Sequence, residues 1–195
     1  MKGWRPAIIK AALTAVCVVV LGLIQAGFFD RLKVLNCKPE LVLCFVIVLS
    51  TRLEGLRAGL TGFFAGLYLD IVYGRYIGVY AVLYLVFCAV TSVAAFRASE
   101  KHKWVGAAVL PPVFLLYEIA ESLLVRIIAV YVAGGGPLYH YGYGRHFAVR
   151  ILPGAAYNLA AGLAMFLVLL LVRRIMRPRP GIRYRKERNV VIDHA

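Results

Sequence analysis

The chain has 195 residues, of which 62% are hydrophobic and 16% are charged, and its formal net charge is +14. A chain with this many apolar residues cannot cover its core with a polar shell. The composition therefore excludes a soluble globular protein and indicates an integral membrane protein with one membrane domain. The positive charge does not require a nucleic acid, because basic residues at one membrane face set the topology and contact anionic lipids.

Six segments are apolar enough to be interpreted as membrane-crossing helices, since a crossing takes about 20 apolar residues. They cover residues 7–29, 39–53, 55–73, 77–96, 105–132 and 151–175. The first lacks an Ala-x-Ala cleavage site and is interpreted as a retained helix rather than a signal peptide. The second has only a short apolar run, and the fifth is expected to kink at Pro111 and Pro112. The sequence therefore predicts an all-α bundle of six transmembrane helices over residues 1–175, followed by a basic cytoplasmic tail over residues 176–195.

The third predicted helix carries a stripe of glycines that ends on an aspartate. Gly55, Gly59, Gly62 and Gly66 recur at spacings of four, three and four, and Asp70 follows four residues later. This spacing places all five residues on one side of a helix. Glycines let two helix backbones approach closely, whereas leucines gain nothing by leaving lipid. Because a carboxylate is costly in the bilayer, Asp70 is expected to face protein or water. We interpret this side of the helix as a helix-packing surface or a partner interface.

Further polar residues lie inside the last two predicted helices. Glu118 and Glu121 are three residues apart and share a face of the fifth helix, and Arg126 lies eight residues after Glu118. Acidic residues along a substrate path would indicate a coupled transporter, whereas an internal ion pair or hydrogen bonds would lock the bundle. On the sixth helix, Asn158 has a glycine four residues away on either side and is expected to hydrogen-bond across a helix interface.

The lysines and arginines are distributed unevenly between the two sides of the predicted bundle. With six crossings and a cytoplasmic N-terminus, sixteen of them lie on the inner side and six on the outer side. The positive-inside rule therefore predicts that both termini are cytoplasmic. Eight of the sixteen lie between residues 173 and 188. This cluster is interpreted as a contact with anionic lipid or, alternatively, as a docking site for an acidic cytoplasmic partner.

No catalytic, cofactor-binding or metal-binding pattern is found in the sequence. The chain has no Gly-x-Ser-x-Gly elbow, no His-Glu-x-x-His pair and no phosphate-binding glycine loop. No Cys-x-x-Cys pair occurs, no histidine is at metal-ligand spacing, and Cys37 is expected as a free thiol in an outer loop. The aromatic loop 139–146 suits the lipid headgroup zone or a partner contact. The sequence therefore predicts a protein that is not an enzyme.

An ordered set of residues between positions 38 and 80 resembles the signature of a known family, the rod shape-determining protein MreD family. Its elements, in chain order, are Lys38-Pro39-Glu40, Gly59, Gly62, Gly66, Asp70, Gly74 and Gly78-Val79-Tyr80. The polar Asn158 early in the last helix, the chain length and the basic ends are also similar to the family. The chain departs from the family pattern at Glu40, where Asp or Asn is frequent, and in its arginine-rich tail.

The resemblance implies a non-enzymatic subunit of the bacterial cell-elongation machinery in the inner membrane. It implies a fold similar to the substrate-binding subunits of energy-coupling-factor vitamin transporters, and an MreC-like bitopic protein as partner. A RodA-type glycosyltransferase, a penicillin-binding transpeptidase and the MreB cytoskeleton would belong to the same machinery. Two functions stay open: a scaffold for the placement of peptidoglycan synthesis, or a vitamin-binding transporter subunit. A vitamin-binding subunit should carry a polar pocket at its outer face. The polar residues there are Asp30, Glu40, Tyr73, Arg75 and those of the aromatic loop, and they are interpreted as too scattered to form one.

Overall fold

The computed structural model describes residues 4–29, 39–73, 77–99, 105–131 and 147–176, and every regular element within them is helical. The helices are α1 (Trp4–Ile24), α2 (Leu41–Ser50), α3 (Gly55–Tyr73), α4 (Val79–Ser99), the one-turn α5 (Val105–Ala108), α6 (Leu110–Tyr131) and α7 (Leu152–Met176). A π-helical turn, Gln25–Phe29, extends α1, and a second one, Phe147–Ile151, leads into α7. The predictions for Cys37, for the loop 139–146 and for the tail after residue 176 fall outside the described residues.

Four helical segments in the described part of the chain are long and apolar enough to cross a membrane. They are Ile8–Gly27, Val79–Arg97, Gly106–Ile128 and Phe147–Val172. The chain is therefore a multi-pass, all-helical membrane protein. Two of the six predicted crossings are not among the four. The ten residues of α2 span about 15 Å, half of a hydrocarbon core of about 30 Å. The 19 residues of α3 are long enough but include Arg57, Asp70 and several glycines, which make this helix less apolar.

The fifth predicted helix is broken where the two prolines were expected to kink it. Helix α5 ends at Ala108, Val109 forms a turn, and α6 begins at Leu110. Pro111 and Pro112 therefore lie in the first turn of α6, where a missing backbone N–H group removes no helical hydrogen bond. Inside a continuous helix the proline rings would instead clash with the preceding turn. The structure therefore shows an interruption at Val109, before the two prolines, in place of a kink within one continuous helix.

Helix α2 is the centre of the bundle. It packs against α7, α3, α4 and α1. Its sequence, LVLCFVIVLS, is apolar on every side, and a helix of this kind is expected to be buried all round. Six of its apolar side chains are at most 2% exposed: Val42, Leu43, Cys44, Val46, Ile47 and Val48. Because other helices shield it from lipid, α2 can be shorter than a lipid-exposed crossing.

Candidate functional site

The closest helix contact lies between the glycine stripe of α3 and the backbone of α4. A Cβ atom added to Gly62 would lie 2.8 Å from the carbonyl carbon of Tyr84, and one added to Gly66 would lie 2.5 Å from the carbonyl carbon of Tyr80. Real Cβ atoms essentially never come within 3.0 Å of such neighbours. Only glycine therefore permits this approach of the two helices.

The packing between α3 and α4 is less close toward the start of α3. A Cβ atom added to Gly59 would lie 3.5 Å from the Cβ atom of Ala89, and one added to Gly55 would lie 3.6 Å from a methyl group of Val93. Both are ordinary van der Waals distances. All four glycines thus lie against α4 of the same chain. In the structure, this face of α3 packs against another helix of the same chain. A contact of this face with a partner protein stays a prediction.

Asp70 lies at the end of the stripe and caps the start of α4. Its Oδ2 atom accepts hydrogen bonds from the N–H groups of Gly78 and Ala81, and its Oδ1 atom accepts one from Tyr80, all at 3.0 Å. Tyr80 and Ala81 are the second and third residues of α4, whose N–H groups have no acceptor within the helix. Gly78, which precedes Val79 with φ at +100°, has no side chain that could act as the cap. The side chain of Asp70 therefore acts as the cap of α4. Asp70 is 1% exposed and faces protein rather than lipid.

The start of α2 is capped in the same way, by side chains of other helices. The N–H group of Val42 donates to Oε1 of Gln25 at 3.1 Å, and the N–H group of Glu40 donates to Oδ1 of Asn158 at 2.8 Å. Both capping side chains are buried, with Gln25 1% and Asn158 0% exposed. An unsatisfied N–H group inside a bilayer costs several kcal/mol, so a helix that starts within the bundle needs such partners.

Asn158 connects three helices. Its Nδ2 atom donates to Oε1 of Glu118 on α6 at 2.7 Å, and its backbone carbonyl accepts from the Cys44 thiol on α2 at 3.3 Å. Gly154, one turn earlier on α7, leaves the space that Glu118 fills, because an added Cβ atom would lie 2.8 Å from Oε2. Gly154 and Asn158 thus bring α7 against the carboxylate of Glu118 on α6.

Tyrosine hydroxyl groups donate hydrogen bonds to two further carboxylates, those of Glu40 and Glu121. Oε2 of Glu40 accepts hydrogen bonds from Tyr117 at 2.9 Å and from Tyr84 at 3.3 Å. Oε1 of Glu121 accepts one from Tyr80 at 3.3 Å. The rings pack edge to face, with centroids 6.2 Å apart for Tyr80 and Tyr84 and 5.9 Å apart for Tyr84 and Tyr117. This geometry is favourable for aromatic pairs and fixes where the hydroxyl groups point.

Together with the ring contacts of Tyr80 with Tyr73 and with Tyr84, these hydrogen bonds join a set of buried and half-buried side chains, which we term the polar network. Its members are Gln25, Glu40, Tyr73, Tyr80, Tyr84, Tyr117, Glu118, Glu121 and Asn158. Tyr73 joins it by accepting a hydrogen bond from Nε2 of Gln25 at 3.1 Å. Each helix except the one-turn α5 contributes at least one member, if the turn after α1 and the residue that precedes α2 are counted with their helices. Arg126 is half-buried on α6, five residues beyond Glu121. Within the described ranges, no group of histidine, cysteine or acidic side chains is placed to hold a metal ion.

Sequence reasoning missed part of this network. Gln25, Tyr84 and Tyr117 were not identified, and Tyr80 was identified only as part of the family signature. Gln25 is nevertheless the one amide in the first predicted helix, and Tyr80 and Tyr84 are four residues apart. The interpretation of Glu40 and Tyr73 as parts of an outer face too scattered to form a pocket stays a prediction. Tyr84 binds Glu40 and Gln25 binds Tyr73, and the two pairs belong to the same network. Asp30 and Arg75, the other two outer-face residues considered, lie outside the described residues.

A comparison with protein families identifies this architecture. The family model described as rod shape-determining protein MreD matches residues 7–176, from α1 to the last residue of α7. The matched range includes every member of the polar network and the whole glycine stripe. Comparisons with curated proteins and with solved structures gave no match. The chain therefore belongs to the MreD family, whose members are non-enzymatic membrane components of the machinery that determines rod shape.

Proposed function

We propose that the protein is a scaffold subunit of the cell-elongation machinery that guides the placement of peptidoglycan synthesis together with an MreC-like bitopic membrane protein. The observation that carries the proposal is the family match over residues 7–176. In this proposal a RodA-type glycosyltransferase, a penicillin-binding transpeptidase and the MreB cytoskeleton belong to the same assembly.

The proposal includes the topology. The bundle crosses the inner membrane six times, and both termini are cytoplasmic, as the excess of basic residues on one side favours. The short α2 is compatible with this arrangement because its side chains are buried among other helices and its first N–H groups are hydrogen-bonded by Gln25 and Asn158. The backbone of such a helix meets protein rather than lipid.

The hydrogen bonding of the polar network supports a scaffold over a transporter subunit. Glu40, Glu118 and Glu121 each accept a hydrogen bond from a side chain of a different helix. These groups therefore tie helices together, whereas a binding pocket would present them to a ligand. A bundle held by such contacts offers a partner helix a rigid surface. The alternative, a vitamin-binding subunit with the fold of the energy-coupling-factor transporters, would require the network to open.

Co-purification tests the proposed function. The tagged chain is co-expressed with an MreC-like bitopic protein, extracted in mild detergent and purified, and an unrelated multi-pass protein with the same tag is the control. We expect a stoichiometric complex with the tagged chain and none with the control. Loss of the chain from a rod-shaped bacterium is expected to make the cells round. If the chain purifies alone and mass spectrometry of the extract identifies a bound vitamin, the scaffold proposal is wrong and the transporter-subunit interpretation replaces it.

A further inference from the structure

Helix α7 continues a short way past its apolar part, and a basic segment of the chain follows it. The apolar span of α7 ends at Val172, and the helix ends at Met176. These four residues add at most about 6 Å at 1.5 Å per residue. Lipid headgroups occupy about 5–7 Å on each side of the hydrocarbon core. The residue that follows α7 is therefore attached close to the headgroups of one leaflet.

Residues 177–188 form this segment, which we term the basic segment. Six of its residues are lysine or arginine and one, Glu187, is acidic, so its net charge is +5. It contains no apolar run long enough to cross a membrane. The family model matches the chain up to Met176, so the basic segment lies outside the part of the chain that the model covers.

The described surface near the end of α7 offers little negative charge to the basic segment. The guanidinium group of Arg52 lies 5.6 Å from the ring centre of Phe166, so the C-terminal half of α7 lies at the end of the bundle where α2 ends and α3 begins. Arg57 and Arg174 are exposed at this end. Among the described residues, Glu54 is the exposed acidic side chain there, and it already contacts Arg57 at 3.8 Å. The basic segment therefore needs negative charge from outside the described part of the chain.

We propose that the basic segment binds the anionic lipid headgroups of the leaflet at which α7 ends. The charges are opposite, and the attachment to α7 keeps the segment near those headgroups. This proximity matters because electrostatic attraction falls off over a Debye length of about 8 Å at physiological salt. Each basic residue near such a surface strengthens the contact about fivefold. An acidic cytoplasmic partner, the other candidate for this cluster, would have to displace lipid that is always within reach. The contact requires neither the proposed partner nor the proposed orientation.

Fluorescence quenching in lipid nanodiscs tests the proposal with the full chain. A fluorescent amino acid replaces Tyr184, which lies within the basic segment, and a lipid with a nitroxide headgroup is the quencher. The discs contain phosphatidylcholine alone or its mixture with phosphatidylglycerol, with the same fraction of quencher. We expect stronger quenching in the discs with phosphatidylglycerol at about 0.15 M salt. The difference should disappear at about 1 M salt, where the Debye length is about 3 Å.

The two arginines beside the probe provide the variant and its matched control. Replacement of Arg183 and Arg185 by glutamine removes two charges and should weaken the contact about 30-fold, measured as a shift of the titration with phosphatidylglycerol. Replacement of both by lysine keeps the charges and should leave the titration as it is in the parent. A lysine variant as weak as the glutamine variant would contradict a contact that depends on charge.

Two further results would overturn the proposal: equal quenching of the parent in the two kinds of disc, or equal titrations of the glutamine variant and the parent. A photoreactive residue in place of Tyr184 adds a measurement in native membranes. A cross-link to lipid supports the proposal, and a cross-link to a protein instead shows that a partner holds the basic segment.

Discussion

Replacement of Gly66 by alanine tests whether the α3–α4 contact depends on glycine. The added Cβ atom would lie 2.5 Å from the carbonyl carbon of Tyr80 and 2.7 Å from the Cα atom of Ala81. Both are backbone atoms, so no side-chain rotation relieves the clash and the two helices must separate. Overpacking of this kind costs about 1–3 kcal/mol. Alanine returns about 1 kcal/mol of helix propensity, so the free energy of unfolding should fall by up to about 2 kcal/mol.

Gly55→Ala in the same helix is the matched control. It brings the same gain in helix propensity, but its Cβ atom would meet only a methyl group of Val93, at 3.6 Å. The control should therefore be as stable as the parent or slightly more stable, and Gly66→Ala should be less stable than the control by about 1–3 kcal/mol. The two variants and the parent are unfolded in mixed micelles of increasing dodecyl sulfate content, and helicity is followed by circular dichroism. Equal midpoints for Gly66→Ala and Gly55→Ala would refute the argument from close approach.

Two further predictions concern the helix cap and the topology. Asp70→Ala removes the acceptor of three N–H groups at the start of α4 and should lower the free energy of unfolding by about 0.5–2 kcal/mol in the same assay. Asp70→Asn keeps one side-chain oxygen and should recover part of this loss. An unchanged midpoint for Asp70→Ala would mean that the cap does not stabilise the helix. In intact cells, cysteines substituted at Lys2 or His194 should resist an impermeant thiol reagent while native Cys37 reacts. Labelling of either terminus from outside would contradict the proposed orientation.

The sequence by itself was enough to place certain residues on a common helix face. The spacing of Gly62, Gly66 and Asp70 requires no knowledge of the rest of the fold, because the period of 3.6 residues puts them on one side of any α-helix. An irregularity of the fifth predicted helix near Pro111 and Pro112 also follows from the local chemistry of proline, although its position at Val109 comes from the structure. The apolar composition required a membrane protein, since no polar shell could be built from it.

The tertiary structure decided which helix lies opposite each face. In lipid, apolar surfaces gain little from burial and are nearly interchangeable, so a pattern of leucines and valines does not specify its neighbour. The contacts of Gln25 with Val42 and of Glu40 with Tyr117 join residues 17 and 77 positions apart. Neither pair has a local signature, because each depends on how three or more helices meet around α2. The polar network could therefore be found only in the assembled bundle, where the unsatisfied N–H groups at the start of a buried helix required partners from its neighbours.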